Sequence, residues 1–211
     1  GIAGPTAAML LGAAGADVVK IEPPGGASSR AKAGSATWNR SKRSATLELG
    51  RARDLAQLHG LLAGADVLIH DLAPTAAAEL GLDGGTLDAR FPALVHCAIT
   101  AYPVGHPDDA LEPSDALVLA RSGLMDEQLP VSRRGPVYLR MPLASWGAVY
   151  LAAAGVLARL LVREKSGRGG VVNTSLLQGA LVPMTMHWAR ATHPTPSFAI
   201  GMPKDPAEYP A

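Results

Sequence analysis

The sequence has few of the residues that stabilise small secreted domains or attract polyanions. Cys97 is the single cysteine in 211 residues, which excludes a disulfide framework and indicates a reducing compartment. The 19 basic residues are balanced by 18 acidic ones, which argues against a general role in binding nucleic acid or membrane surfaces. No segment has the pattern of a signal peptide or of a convincing membrane span. We therefore expect a cytoplasmic protein.

Common cofactor motifs are also missing. The sequence contains neither the G-x-G-x-x-G fingerprint of dinucleotide-binding folds nor a P-loop lysine. Its histidines and acidic residues do not have metal-ligand spacing, and one thiol cannot form a thiolate zinc site of the usual kind. His70 is interpreted as an ordinary residue at a strand end. We predict no metal site and no tightly bound cofactor.

The longest apolar segment, residues 143–175, predicts a buried helix, a glycine-rich turn and a buried strand. Ser145 is the predicted N-cap, and Gly167 is the predicted left-handed residue that ends the helix. Between residues 146 and 162 the only charge is Arg159, which is typical of a core helix. Small residues recur at spacings of four and three along it and permit close packing: Ala148, Ala152 and Gly155.

Elsewhere strands and helices alternate along the chain. The pattern predicts strands at residues 17–21, 45–49, 67–69, 93–99 and 171–175, with helices at 5–14 and 51–62. Such alternation is typical of an α/β fold with an open, mostly parallel, Rossmann-like sheet flanked by helices. The proline-rich residues 191–211 predict an extended linker.

Several segments, in order, carry a family resemblance: AGPTAAMLLGAAGADVVKIEPPGG, NRSKRSATLEL, ADVLIHDLAP, AELGLD, LVHCAIT, ARSGLM and LASWGAVYLAAAGVLARLLVREKSGRGGVVNTSLLQGAL. Together they resemble CoA-transferase family III, the CaiB/BaiF family, which also includes alpha-methylacyl-CoA racemase. The resemblance implies a two-domain fold that forms interlocked dimers. Residues 1–190 then correspond to the large domain without its first strand, and residues 191–211 lead toward a small domain that is absent from this chain.

The resemblance also implies where coenzyme A would bind. The implied residues are Ile2 and Ala3 at the first helix, Arg40, Lys42 and Arg43 in a basic segment, and Asp71 and Leu72 after a strand. A basic segment is usually a solvated face, but guanidinium and ammonium groups also bind phosphates. The family usually has an asparagine and an aromatic residue where Asp71 and Leu72 stand, and a basic residue near Glu79. Coenzyme A would be a substrate here, carried as acyl-CoA.

Ser145 stands where the resembled transferases have an aspartate nucleophile. That carboxylate forms a mixed anhydride and then an aspartyl thioester, and both intermediates remain reactive. A serine would form an ordinary ester and would need a base, yet residues 128–163 contain no acidic residue. Serine retains the capping role of aspartate, and we expect that role first. Asp115 is the candidate that could contribute a carboxylate, together with Asp126 or Glu127.

Three functions stay open at this point. The first is a transferase that moves CoA from an acyl-CoA to a carboxylic acid with altered chemistry at Ser145. The second is a non-catalytic subunit, or pseudoenzyme, that pairs with an active paralogue. The third is a racemase or isomerase, which is disfavoured because Ser114 replaces the acid-base histidine of that branch and inversion needs two proton-transfer groups.

Overall fold

The computed structural model describes residues 1–109, 111, 113–127, 136–138 and 140–184, and for residues 126 and 127 only the backbone. The predicted linker, residues 191–211, and the side chains of Asp126 and Glu127 therefore lie outside the described part.

The described chain alternates helices and strands. The helices are α1 (Ala3–Ala13), α2 (Ser35–Trp38), α3 (Ala52–Leu62), α4 (Pro74–Glu79), α5 (Gly84–Arg90), α6 (Asp115–Arg121), α7 (Leu124–Glu127), α8 (Leu143–Ser166) and α9 (Leu176–Leu181), with 3₁₀ turns at Ser28–Ala31 and Val182–Met184. The strands are β1 (Val19–Glu22), β2 (Arg43–Thr46), β3 (Val67–His70), β4 (Val95–Thr100) and β5 (Gly170–Ser175).

All pairings between these strands are parallel. β1 pairs with β2, and β4 lies between β3 and β5 in a second sheet. The predicted α/β class with parallel strands flanked by helices is confirmed. Several strand boundaries differ from the prediction. β1 begins at Val19, two residues late, and β4 begins at Val95, also two residues late. β2 begins at Arg43, two residues early, and ends at Thr46, three residues early. Hydrophobicity alone missed the start of β2, whose first residues are polar and exposed.

Helix α8 organises the larger core. Its small and branched residues are buried against β4, β5, α1 and α9; the buried set includes Ala144, Ala148, Val149, Ala152 and Val156. Gly167 ends the helix with a left-handed φ of 70°, as predicted. By length and composition α8 would also qualify as a membrane span, but the core helix of a globular domain passes the same test.

Two glycines let α8 and α9 touch through their backbones. A Cβ at Gly147 would meet the carbonyl oxygen of Gly179, and a Cβ at Gly179 would meet backbone atoms of Ala144 and Ala148. This contact holds the first turns of α8 against α9, beside Ser145.

Candidate functional site

Ser145 lies in the first turn of α8 and is 3% exposed. Its backbone N–H donates to Oδ1 of Asp115 at 2.9 Å, and its hydroxyl donates to Oδ2 of the same carboxylate. Asp115 is the first residue of α6, 30 positions earlier in the chain. The structure therefore brings together the two residues that the sequence analysis named as catalytic candidates.

The prediction that Ser145 is the N-cap of α8 is wrong. The N-cap is Pro142, which has no side-chain donor or acceptor, and Ser145 is the third residue of the helix. The Asp115 carboxylate instead accepts one of the free N–H groups at this helix start, where negative charge is favourable. The base that a serine nucleophile would need is thus present in space, although it is distant in sequence.

The second group of candidates surrounds the start of α1. The Lys42 ammonium donates to the carbonyl oxygen of Pro5 at 2.6 Å. Burial, together with a smaller contribution from repulsion by Lys20, lowers the pKa of Lys42 to about 8. An anionic ligand would reduce the repulsion between this half-buried cation and the second cation beside it.

A buried carboxylate supports this region. Glu22, which is 3% exposed, accepts from Nζ of Lys20 at 2.8 Å and from Nε of Arg30 at 3.2 Å. These hydrogen bonds lower the pKa of Glu22 to about 2, with Arg30 contributing most. The sequence analysis did not select Glu22. The available signal was the Lys20-x-Glu22 alternation, which places both side chains on one face of a strand.

The other residues implied in coenzyme A binding on α1 and in the basic segment differ in burial and in hydrogen-bond partners. Ile2 precedes α1, and its carbonyl accepts from the hydroxyl of Thr6 at 2.7 Å, while Ala3 is buried. Arg40 contacts the sulfur of Met9 at 2.9 Å. Arg43 is exposed and donates to Asp17 at 3.0 Å, at the amino ends of β1 and β2.

Asp71 and Leu72 follow β3 and lie near the start of α1. The nitrogen of Gly1 donates to Oδ2 of Asp71 at 2.8 Å, and the backbone N–H of Leu72 donates to Nδ1 of His70 at 3.4 Å. Burial lowers the pKa of His70, so its imidazole is neutral near pH 7. The contact with Gly1 places Asp71 at the same helix end as Ile2 and Ala3.

Two further side chains, a thiol and an imidazole, are of reactive types but are buried. Cys97 is fully buried in β4, and burial raises the pKa of its thiol to about 12. His96 is buried and its Nε2 lies 3.0 Å from Oδ1 of Asp88. Within the described residues, no cluster of three or more histidine, cysteine or acidic side chains could hold a metal ion.

Sequence comparison relates residues 1–205 to CoA-transferase family III. A probable fatty acyl-CoA transferase of Mycobacterium tuberculosis is 30% identical over 94% of this chain and 54% of its own length. The succinyl-CoA:glutarate CoA-transferase of Mus musculus is 29% identical over 87% of this chain and 44% of its own length. The chain thus spans about half the length of these curated relatives.

Structural comparison agrees. A crystal structure of the Mycobacterium tuberculosis relative superposes with a TM-score of 0.85 at 29% identity, over 91% of this chain and 54% of that one. A CaiB/BaiF family protein from Brucella suis gives a TM-score of 0.79 at 26% identity, over 90% of this chain and 54% of that one.

Proposed function

The chain belongs to CoA-transferase family III, and from this premise we propose that it acts on CoA thioesters, in the transfer of CoA from an acyl-CoA to a carboxylic acid. The match across residues 1–205 carries this proposal. Coenzyme A is then a substrate and not a resident cofactor, and the protein works in the cytoplasm.

The cationic region at α1 is the part we assign to coenzyme A. Lys42 is charged at neutral pH, half-buried, and bound to only a carbonyl oxygen among the described contacts. A phosphate of coenzyme A would supply the opposite charge that this ammonium lacks. Arg40, two residues earlier in the chain, contacts the sulfur of Met9, whereas Arg43 is already paired with Asp17 at the surface.

Chemistry at Ser145 would differ from that of the aspartate enzymes. The Asp115 carboxylate would take the hydroxyl proton while Oγ attacks the thioester carbonyl and CoA leaves as the thiolate. The product is an ester, which reacts with returning CoA much less readily than a mixed anhydride does. We therefore expect transfer by this chain alone to be slow.

A non-catalytic subunit is the second candidate, and the contact of Ser145 with Asp115 favours it. A buried serine whose N–H and hydroxyl are both bound to one carboxylate is fully satisfied as a structural group. One relative is named the alpha subunit of a succinyl-CoA–L-malate CoA-transferase of Chloroflexus aurantiacus. In this form the chain would pair with an active paralogue; as a transferase it would form an interlocked homodimer. No observation favours a racemase.

Calorimetric titration of the full chain with coenzyme A and with a short acyl-CoA tests the proposal, followed on the same sample by a CoA-exchange assay with a free acid. Binding with exchange supports a transferase, and Ser145→Ala then decides whether Oγ is the nucleophile. Binding without exchange supports the partner subunit. If neither ligand binds, the proposed function is wrong.

A further inference from the structure

Two charged side chains of β1 lie on one face of the two-stranded sheet, and a third lies directly before β2. Lys20 of β1 is opposite Ser44 of β2 in the parallel register. Because side chains alternate between faces, Lys20 and Glu22 project to the side of Ser44. Lys42 immediately precedes β2, and the backbone N–H of the next residue, Arg43, donates to the carbonyl oxygen of Val18 at 2.9 Å, so Lys42 lies beside the start of β1. The effect of Lys20 on the pKa of Lys42 agrees with this placement.

Glu22 closes the turn that follows β1. Its carboxylate accepts from Arg30 through Nε at 3.2 Å and through Nη2, and from the backbone N–H of Ala27 at 3.4 Å. Gly26, with a φ of 87°, lies directly under the Arg30 side chain, where a Cβ would come within 2.7 Å of Cδ. One carboxylate therefore fixes both the turn and the start of the basic segment.

The Glu22 carboxylate also offsets positive charge near Lys42. Helix α1, against which Lys42 packs, has no titratable residue, and β1 presents Lys20 and Glu22. Of the flanking cations, Arg40 lies on Met9 and Arg43 is paired with Asp17. Among the described residues, Glu22 is thus the acidic group that offsets Lys20 beside Lys42.

We propose that Glu22 is a positioning residue for phosphate binding: it neutralises Lys20 and fixes Arg30, so that Lys42 stays charged and held at α1 for a phosphate group of coenzyme A. The identity of the ligand rests on the proposed function. The positioning by Glu22 is a property of the free chain, so it can be tested without ligand.

The test is Glu22→Gln, which keeps the size of the side chain and removes its charge. NMR of the lysine side chains, assigned with Lys42→Arg, measures the pKa of Lys42 in the absence of coenzyme A. Because Lys20 is then unpaired, we expect the pKa of Lys42 to fall by about one. At pH 8 the charged fraction of Lys42 would fall from about half to about a tenth, which predicts about 5-fold weaker binding of coenzyme A, against little change at pH 6.

Asp17→Asn is the matched control, because it removes the same charge from an exposed ion pair beside β1 and should leave Lys42 unchanged. Lys20→Gln should raise the pKa of Lys42, and it keeps the test decisive if Glu22→Gln does not fold. Opposite shifts in the two variants support the inference. Unchanged titration of Lys42 in both, or loss of affinity that is equal at pH 6 and pH 8, overturns it. Failure of the unmodified chain to bind coenzyme A would instead refute the proposed function.

Discussion

Ser145 is buried and Lys42 is half-buried, and their polar partners differ. One carboxylate satisfies both the N–H and the hydroxyl of Ser145, within a helix packed among alanines and valines. Lys42 has one carbonyl oxygen as its acceptor and another lysine nearby. A satisfied polar group needs no ligand, whereas a cation held without a counter-charge lowers stability. From this comparison we propose that the cationic region binds a ligand and that the Ser145 region is mainly structural.

The largest effect is expected where the Ser145 region is most tightly packed. Gly179→Ala would drive a Cβ into backbone atoms of Ala144 and Ala148, which cannot move without separating α8 from α9. We expect a loss of about 3 kcal/mol in unfolding free energy, or about 6–12 °C in thermal midpoint. Circular dichroism during heating measures it.

Gly60→Ala is the control for Gly179→Ala. Gly60 lies on the exposed side of α3 with open space around its Cα, so alanine there should stabilise the chain by about 0.5–1 kcal/mol. Equal melting of Gly179→Ala and the unmodified chain would show that the two helices are not held by this contact.

The next largest loss of stability is expected on removing the Asp115 carboxylate, which accepts two hydrogen bonds from Ser145. Asp115→Ala leaves a buried N–H and a buried hydroxyl without an acceptor, which should cost about 2 kcal/mol in unfolding free energy. Asp115→Asn keeps an acceptor for the N–H and should lose about half as much. Urea unfolding of both variants decides the point: equal losses would mean that charge at the helix start matters and that the acceptor does not.

Ser145→Asp sharpens the comparison by restoring the residue of the resembled transferases. Two carboxylates in contact disfavour double ionisation, so the folded pair would hold a proton to a higher pH than the unfolded chain. The folded state then binds more protons, and stability falls as pH rises. We expect near-native stability at pH 4 and a loss of about 1–2 kcal/mol in unfolding free energy at pH 8. Urea unfolding at the two pH values measures the difference.

Ser145→Asn is the uncharged control and should show no such pH dependence. A CoA-exchange assay on Ser145→Asp then separates the two candidate functions. Exchange would show that the missing carboxylate was the only missing catalytic part, while normal CoA binding without exchange would show that other parts are missing too.

Sequence and structure agree where one local rule decides the outcome. Apolar periodicity predicted α8 and β5, and the glycine at position 167 predicted the end of α8. The start of α8 was misjudged because its cap comes from Asp115, on another helix, and a long-range hydrogen bond leaves no local signal. The Lys20-x-Glu22 alternation was a local signal for Glu22, but its main partner, Arg30, is brought close only when the turn closes.

The implied coenzyme A residues show how much a resemblance can add. It pointed to Arg40, Lys42 and Arg43 within a basic segment that composition alone assigns to a solvated face. It could not tell Lys42 from Arg43, because the difference lies in their folded surroundings: a carbonyl oxygen and a lysine for one, an exposed aspartate for the other.

A substitution in the cationic region should raise stability, where those in the Ser145 region lower it. The pKa of Lys42 is lowered from 10.5 to about 8, so between these values the unfolded chain binds more protons and stability rises with pH. Lys42→Met removes the half-buried charge. Since solvent still screens half of this side chain, we expect a gain of about 1 kcal/mol at pH 7 that disappears as pH rises from about 8 to 10.5.

The same variant should weaken binding of coenzyme A by about 10-fold, because a phosphate loses a charged donor. Lys165→Met, in the exposed last turn of α8, should change neither property. Chemical denaturation across pH and calorimetric titration measure the two effects. Greater stability together with weaker binding is what a cation kept for a ligand predicts; lower stability at pH 7 would show that the bond from Lys42 to Pro5 is structural, and the contrast with Ser145 would fail.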